Sequence, residues 1–291
     1  MTTTDDIGPT SYSFVSQRLR LNYLDWGNPE APTLILVHGG RDHARSWDSI
    51  ARALRTEWHI IAPDLRGHGD SGWSPDGVYS MPFFICDLAQ LVHQQGSAPV
   101  TIVAHSLGGI ISLRYAGLFP ERVRKLVAIE GLGLGQSPDD ASTDAFVNRW
   151  RKWIDERRAL SSRTPRRYAS IDEALERMRS ENRHLSEDQA RQLTIHGVNR
   201  NEDGSYSWKF DNYLRSSPPL DISTAELHAL WNRIECPTLL AYGNDSWASN
   251  PATDGNAAHF RTATVKTYDN AGHWLHHDRF DSFLADLRAF L

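Results

Sequence analysis

The chain has only two cysteines, Cys86 and Cys236, far apart in sequence, so no disulfide framework is expected, and both read as isolated small buried side chains. Long hydrophobic runs are missing as well. The longest, such as Leu34–Val37, are far too short to cross a bilayer, which excludes a membrane span. The opening residues MTTTDDIGPT are polar and acidic, with neither the basic start nor the apolar stretch of a secretory signal, so a cytoplasmic location is expected. Positive charge is not in excess. The net charge is −5 with a pI near 6.2, and no basic stripe is available to neutralise phosphates, so nucleic acid is not an expected partner. Internal repeats and low-complexity tracts are also absent.

What remains is ordinary globular composition, 40% hydrophobic and 23% charged over 291 residues, enough for a large core. Strands alternate with helices along most of it. Residues 12–27 alternate as a pair of strands. PTLILVHGG (32–40) is a continuously apolar, β-branched run that suits a strand buried on both faces. Residues 43–55 read as a helix presenting Trp47, Ile50 and Leu54, and 58–64 as a strand. Residues 81–96 form a helix opened by Pro82 and closed by Gly96. A strand over 98–106, a helix over 106–120 and a strand over 124–131 follow. Later strands are expected at 236–243 and 262–270, and helices at 250–260 and 273–291. This alternation predicts a doubly wound, mainly parallel α/β sheet.

One interruption, residues 132–233, is charged, helical and rich in Arg and Trp. Capping boxes are expected at Ser170 with Glu173 and at Ser186 with Gln189. Ile171, Leu175 and Met178 give an apolar stripe. The chain is therefore read as a core of 1–131 and 234–291 with a helical cap inserted over 132–233.

The chemistry concentrates at AHSLGG (104–109), where a buried strand meets a helix. A serine there sits on a tight, strained turn with its hydroxyl leaving the sheet's C-terminal edge. Its neighbours two residues before and after, Ala104 and Gly108, must be small as the chain reverses. The helix N-terminus aims N–H groups at any negative oxygen formed there. This stretch resembles the nucleophile elbow of α/β-hydrolases, usually Gly-x-Ser-x-Gly, with alanine at the first position here.

That resemblance implies the α/β-hydrolase fold with an inserted cap and a catalytic Ser106. His38–Gly39–Gly40, at the end of another strand, looks like the superfamily's oxyanion loop, which implies backbone N–H donors from Gly40 and Leu107. His273, after the last strand, stands in the superfamily's chain order as the general base. His276 and His277 are rivals expected to face solvent within the last helix, and no metal is expected, because no carboxylate or Cys sits at ligand spacing beside them. The acid departs from the common pattern. Three residues beyond Gly243 stands Ser246, and Asp245 is one position early. Glu130 ends the LVAIEG strand, at an acid position like that of haloalkane dehalogenases and some lipases. A charge ending an apolar strand needs a partner, so Glu130 is preferred to Asp245. The Asp64-Leu-Arg-Gly-His-Gly-Asp-Ser71 loop, similar to one common in the family, is read as structural.

The resemblance covers roughly 12–131 and 234–291, and the cap over 180–210 resembles that of serine-hydrolase-like proteins. Serine at 106 argues against dehalogenases and epoxide hydrolases, which use Asp to attack an sp³ carbon. The expectation is a serine esterase acting on a small-molecule ester or acyl substrate, with no cofactor. Thioester or carbon–carbon bond hydrolysis, or a receptor keeping a residual hydrolase site, stay open, as does the oligomeric state.

Overall fold

A computed structural model describes residues 8–133 and 142–291. Its centre is an eight-stranded sheet. The first strands, β1 (Thr10–Ser16) and β2 (Leu19–Asp25), form an antiparallel hairpin at one edge. Next to them run β4 (His59–Pro63), β3 (Thr33–Val37), β5 (Val100–His105), β6 (Val123–Ile129), β9 (Thr238–Gly243) and β10 (Ala263–Tyr268). β2 meets β4 antiparallel, and every pairing from β4 to β10 is parallel. The order reverses around β3, with β4 on one side and β5, β6 and β9 on the other. In such sheets the crevice at the carboxyl ends of the central strands is where ligands bind.

Burial on both faces explains the apolar runs. All six residues of β5 are buried. Val100, Ile102 and Ala104 face α2 (Met81–Gln94), α3 (Leu107–Leu118) and α7 (Thr224–Asn232), through Phe84, Leu88, Ile111 and Trp231. Val103 points the other way, into the cluster containing Ile50 and Leu54 of α1 (Asp48–Leu54) and Phe283 and Leu287 of α9 (Phe280–Phe290). Helices on both faces let a strand dispense with polar alternation.

The inserted segment carries α4 (Thr143–Ser161), α5 (Ile171–Glu181) and α6 (Glu187–Gly197), and also a small antiparallel pair, β7 (Val198–Arg200) with β8 (Tyr206–Trp208), so it is not purely helical. It is tied to the core by Tyr79 Oη donating to Asp211 (2.6 Å), Lys209 donating to Asp70 (2.8 Å), and His43 Nε2 donating to the Leu193 carbonyl (3.0 Å). The segment ends in α7, whose Leu227 and Trp231 join the core cluster against α3.

Several local expectations are corrected. Residues 250–260 form turns and one short 3-10 turn, Asn256–His259. The Asn250 and Asp254 side chains accept from the amides of Ala252 and Asn256 and so compete with helical pairing. The last helix is broken at Arg279 (φ −127°) into α8 (Leu275–Asp278) and α9. The Ser186–Gln189 capping box is complete, but at Ser170 only half of the box forms: the Ser170 hydroxyl accepts from the Glu173 amide, while the Glu173 carboxylate accepts from the Ala169 amide instead of the Ser170 amide. Cys236 is buried and Cys86 exposed, and both are free thiols. Among the described residues no helix is long and apolar enough to cross a membrane.

The packing beneath the elbow gives a stability prediction. A Cβ at Gly108 would sit 2.5 Å from the Val37 carbonyl oxygen and 2.6 Å from that of His38. Both are backbone atoms that cannot swing aside. Gly108→Ala is therefore expected to destabilise the fold by about 1–3 kcal/mol through overpacking. Thermal unfolding should show Tm lowered by roughly 2–4 °C per kcal/mol. A wild-type Tm would mean that the α3–β3 approach is not tight.

Candidate active site

Ser106 follows β5 and caps α3 with φ +50° and ψ −117°, a conformation disfavoured for a residue with a Cβ. Its amide is held by the Ile129 carbonyl of the neighbouring strand (2.8 Å). One strand over, Glu130 also has a positive φ, +49°, and its amide is held by Ala241 O (3.0 Å). The sheet thus fixes two adjacent strand ends in strained turns, each aiming its side chain at the same edge.

His273 lies between them. Its Nε2 accepts from Ser106 Oγ at 2.9 Å, and its Nδ1 donates to Glu130 Oε2 at 2.6 Å. The Glu130 side chain has no exposed surface. Its other oxygen, Oε1, accepts from the Gly243 amide (2.8 Å), and Oε2 also accepts from the Ser246 hydroxyl. Ser246 stands where the acid is common in this fold, and here its hydroxyl supports a carboxylate supplied from β6. Asp245 is exposed, and its carboxylate makes no hydrogen bond among the described residues. The carboxylate fixes the imidazole tautomer with Nε2 lone pair towards Ser106. Such an array can take the hydroxyl proton as the oxygen attacks a carbonyl.

Leu107 is the first residue of α3, so its N–H has no partner within the helix. Gly40 lies across from it, and both line the cavity above Ser106. A Cβ at Gly40 would be 3.9 Å from Leu107, ordinary contact, so packing does not require glycine there. Packing requires it at Gly39, where a Cβ would come 2.7 Å from His105 Nδ1.

His105 was not singled out by the sequence, although it precedes the serine. It is fully buried, and its Nε2 donates to the His273 carbonyl (2.9 Å), pinning that loop to β5. The exposed Trp247 lies over the other side of the His273 ring, centroids 4.7 Å apart. His276 and His277 do not face solvent. They are 1% and 8% exposed, with the His276 ring stacked on Trp47 (4.8 Å) and close to His105 (4.7 Å). The neighbours that cover His276 come from the 3-10 turn Ala44–Trp47 just before α1 and from β5, which helical periodicity within 273–291 cannot reveal. Of the tryptophans in the insertion, Trp208 lines the cavity, whereas Trp150 and Trp153 pack edge-to-face on each other (5.7 Å). The Asp64 loop is structural in its contacts. Asp64 accepts from the Ala44 and Asp70 amides and from Asn22, and Arg66 forms a buried two-point pair with Asp87 (2.6 Å each). Among the described residues no group of three or more His, Cys, Asp or Glu is arranged to hold a metal ion.

The buried histidines make folding sensitive to acid. His38 accepts the Leu65 amide at Nε2 (2.9 Å), which requires the neutral ring, and burial pushes its pKa down to about 3. Burial likewise lowers His68 to about 3 and His277 to about 4. An unfolded histidine takes up its proton near 6.5. Between there and the lowered folded values the unfolded chain binds more protons, so stability is complete above about pH 6.5 and declines as pH falls towards 4. Each such histidine contributes up to about 1.4 kcal/mol per pH unit of that decline. Urea midpoints at pH 7.5 and pH 5 should differ by more than one histidine can supply, and equal midpoints would refute this.

The alpha/beta hydrolase fold family matches residues 32–280. The chain is similar to the mouse protein named sn-1-specific diacylglycerol lipase ABHD11, 27% identical and covering 94% of this chain and 85% of that one. It is similar to the serine hydrolase-like protein of Danio rerio at 25% identity, covering 76% and 67%. Among solved structures, the thioesterase domain from the curacin biosynthetic pathway superimposes with a TM-score of 0.84 at 22% identity, covering 97% of this chain and 100% of that one.

Proposed function

The chain belongs to the α/β-hydrolase family, and on that premise we propose that it is a serine hydrolase that cleaves carboxylic esters through an acyl-enzyme. The observation that carries this reading is the unbroken hydrogen-bonded series from Ser106 Oγ through both nitrogens of His273 to the buried Glu130. In this reading Ser106 Oγ attacks the ester carbonyl while its proton passes to His273 Nε2. The Gly40 and Leu107 N–H groups hold the oxygen that becomes negative. Glu130 stabilises the imidazolium, which then protonates the departing alcohol as the acyl–oxygen bond breaks. Water, deprotonated by the same imidazole, releases the acid. The esterase and lipase names of the relatives support hydrolysis of an acyl bond.

The same reading assigns the segment over 132–233 to a cap that closes the cavity and sets acyl preference, with α7 returning to the core. A fluorophosphonate probe should add once, to Ser106, and nitrophenyl esters of graded chain length should be hydrolysed by the wild type and not by Ser106→Ala. Adduct formation in the Ser106→Ala protein at wild-type level would end this proposal.

A further inference from the structure

The cavity above Ser106 has a volume of about 1200 Å³, larger than a short ester requires. Its charge is opposite to that of the whole molecule. The protein carries −5, yet arginines outnumber carboxylates seven to three along the lining. Four of these arginines come from four separate elements. Arg41 follows Gly40, Arg163 lies just beyond α4, Arg177 is on α5, and Arg215 ends the 3-10 turn Asn212–Arg215.

Several arginines elsewhere are paired, Arg66 with Asp87, Arg114 with Asp221 and Arg45 with Asp48, at 2.6 Å each. In the cavity, Arg177 pairs with Glu181 (2.7 Å) and Arg167 with Asp203 (2.6 Å), but the side chains of Arg41, Arg163 and Arg215 make no ion pair or hydrogen bond among the described residues. The Arg215 guanidinium is held below its usual range by burial and by the positive charges of Arg41, Arg163 and Arg177. These four side chains are exposed at the cavity wall, and like charges gathered around one concave site raise the local potential and favour an anion there. Guanidinium groups carried by four separate elements on one cavity lining can offer donors to a tetrahedral dianion with three acceptor oxygens, which takes up more of them than a single planar carboxylate.

We propose that this site takes acyl esters or thioesters whose leaving group carries a phosphate, held by Arg41, Arg163, Arg177 and Arg215 while the carbonyl lies at Ser106. The proposal rests on the serine-hydrolase reading. The phosphate is recognised and stays intact, because the bond that breaks is the acyl–oxygen or acyl–sulfur bond and the leaving oxygen or sulfur takes the proton from His273. Arg41, one residue from the Gly40 amide, is the arginine nearest in sequence to the carbonyl site. The phosphate could belong to a phosphorylated thiol carrier or to a phosphorylated glycerol, and the two sources are separable by experiment.

Two matched pairs test it: hexanoyl-coenzyme A against hexanoyl-pantetheine, and a monoacylglycerol phosphate against the same monoacylglycerol. In at least one pair, kcat/KM for the phosphorylated member should be higher by about tenfold or more at about 50 mM salt, and the pair that discriminates names the source. The ratio should fall towards one at about 500 mM salt and in the double variant Arg163→Gln/Arg215→Gln. Calorimetry with inorganic pyrophosphate supplies a readout independent of turnover, and the double variant should bind it about tenfold or more weakly. Ratios near one in both pairs, or no pyrophosphate binding by the wild type, would overturn the proposal and leave the arginines as a solvated rim. Pyrophosphate binding without any fluorophosphonate adduct at Ser106 would overturn the hydrolase reading and leave the anion site standing.

Discussion

Alanine at Ser106 and alanine at His273 should each lower kcat for a nitrophenyl ester by on the order of 10⁵-fold or more, and the double substitution should cost little beyond either one. The reason is that the two side chains act as a unit. The imidazole lone pair has no task without the Oγ proton 2.9 Å away, and the hydroxyl is a poor nucleophile at neutral pH without that base. Whatever rate survives comes from the polar groups around the cavity and from substrate binding, which neither substitution removes. Both variants should fold, since Ser106 and His273 are only partly buried and their removal leaves no orphaned charge except Glu130, which keeps its bonds from Gly243 and Ser246. Steady-state rates on the ester series, with circular dichroism to confirm folding, check this. Additive losses in the double variant would mean that the two residues work independently, and the acyl-transfer mechanism would have to be abandoned.

The second large effect is expected at the acid. Glu130→Gln should lower kcat by about 10⁴-fold, Ser246→Ala by about tenfold, and Asp245→Asn by less than about threefold. The carboxylate of Glu130 receives three donors, the Gly243 amide, the Ser246 hydroxyl and His273 Nδ1–H. An amide oxygen can receive some of them, but its NH₂ must then meet another donor or turn the imidazole to the wrong tautomer. It also lacks the charge that balances the imidazolium. Ser246 acts at one remove, by positioning Oε2, so its loss should weaken kcat with little change in KM. The Asp245 carboxylate makes no hydrogen bond or ion pair among the described residues, and the residue is held by its backbone, whose amide donates to Ala271 O (2.9 Å). A larger loss at Asp245 than at Glu130 would transfer the acid role to the loop.

How much of this is legible in the sequence differs from element to element. The parallel strands are, because a run such as Leu34–Val37 or Val100–Ala104 can be so apolar only if both faces are covered, and the sheet covers them. The turn at Ser106 is also legible, since a serine flanked by alanine and glycine at a strand–helix junction has few other conformations. Even the unusual acid leaves a trace, as Ser246 occupies the common acid position and Glu130 ends an apolar strand that no isolated charge would choose.

Other features have no local signature. Residues 250–260 are expected as a helix, yet Asn250 and Asp254 capture the nearby amides and Gly255 adopts φ +85°, so turns win. His276 and His277 look like the wet side of a helix, yet both are buried, His276 against Trp47 and His105, which are distant in the chain.

The sequence by itself determined the layered α/β core, the strand-end placement of Ser106, Glu130 and His273, and the arginine-rich character of the insertion, because these follow from periodicity, residue size and order along the chain. Only the tertiary structure decided that His273 bridges Ser106 and Glu130, that the exposed Asp245 carboxylate takes no part in that bridge, and that Arg41, Arg163, Arg177 and Arg215 line one cavity. The physical reason is that hydrogen bonds and charge–charge interactions depend on distances of a few ångströms between residues that the chain separates by many positions, and those distances are set when the sheet and the insertion pack.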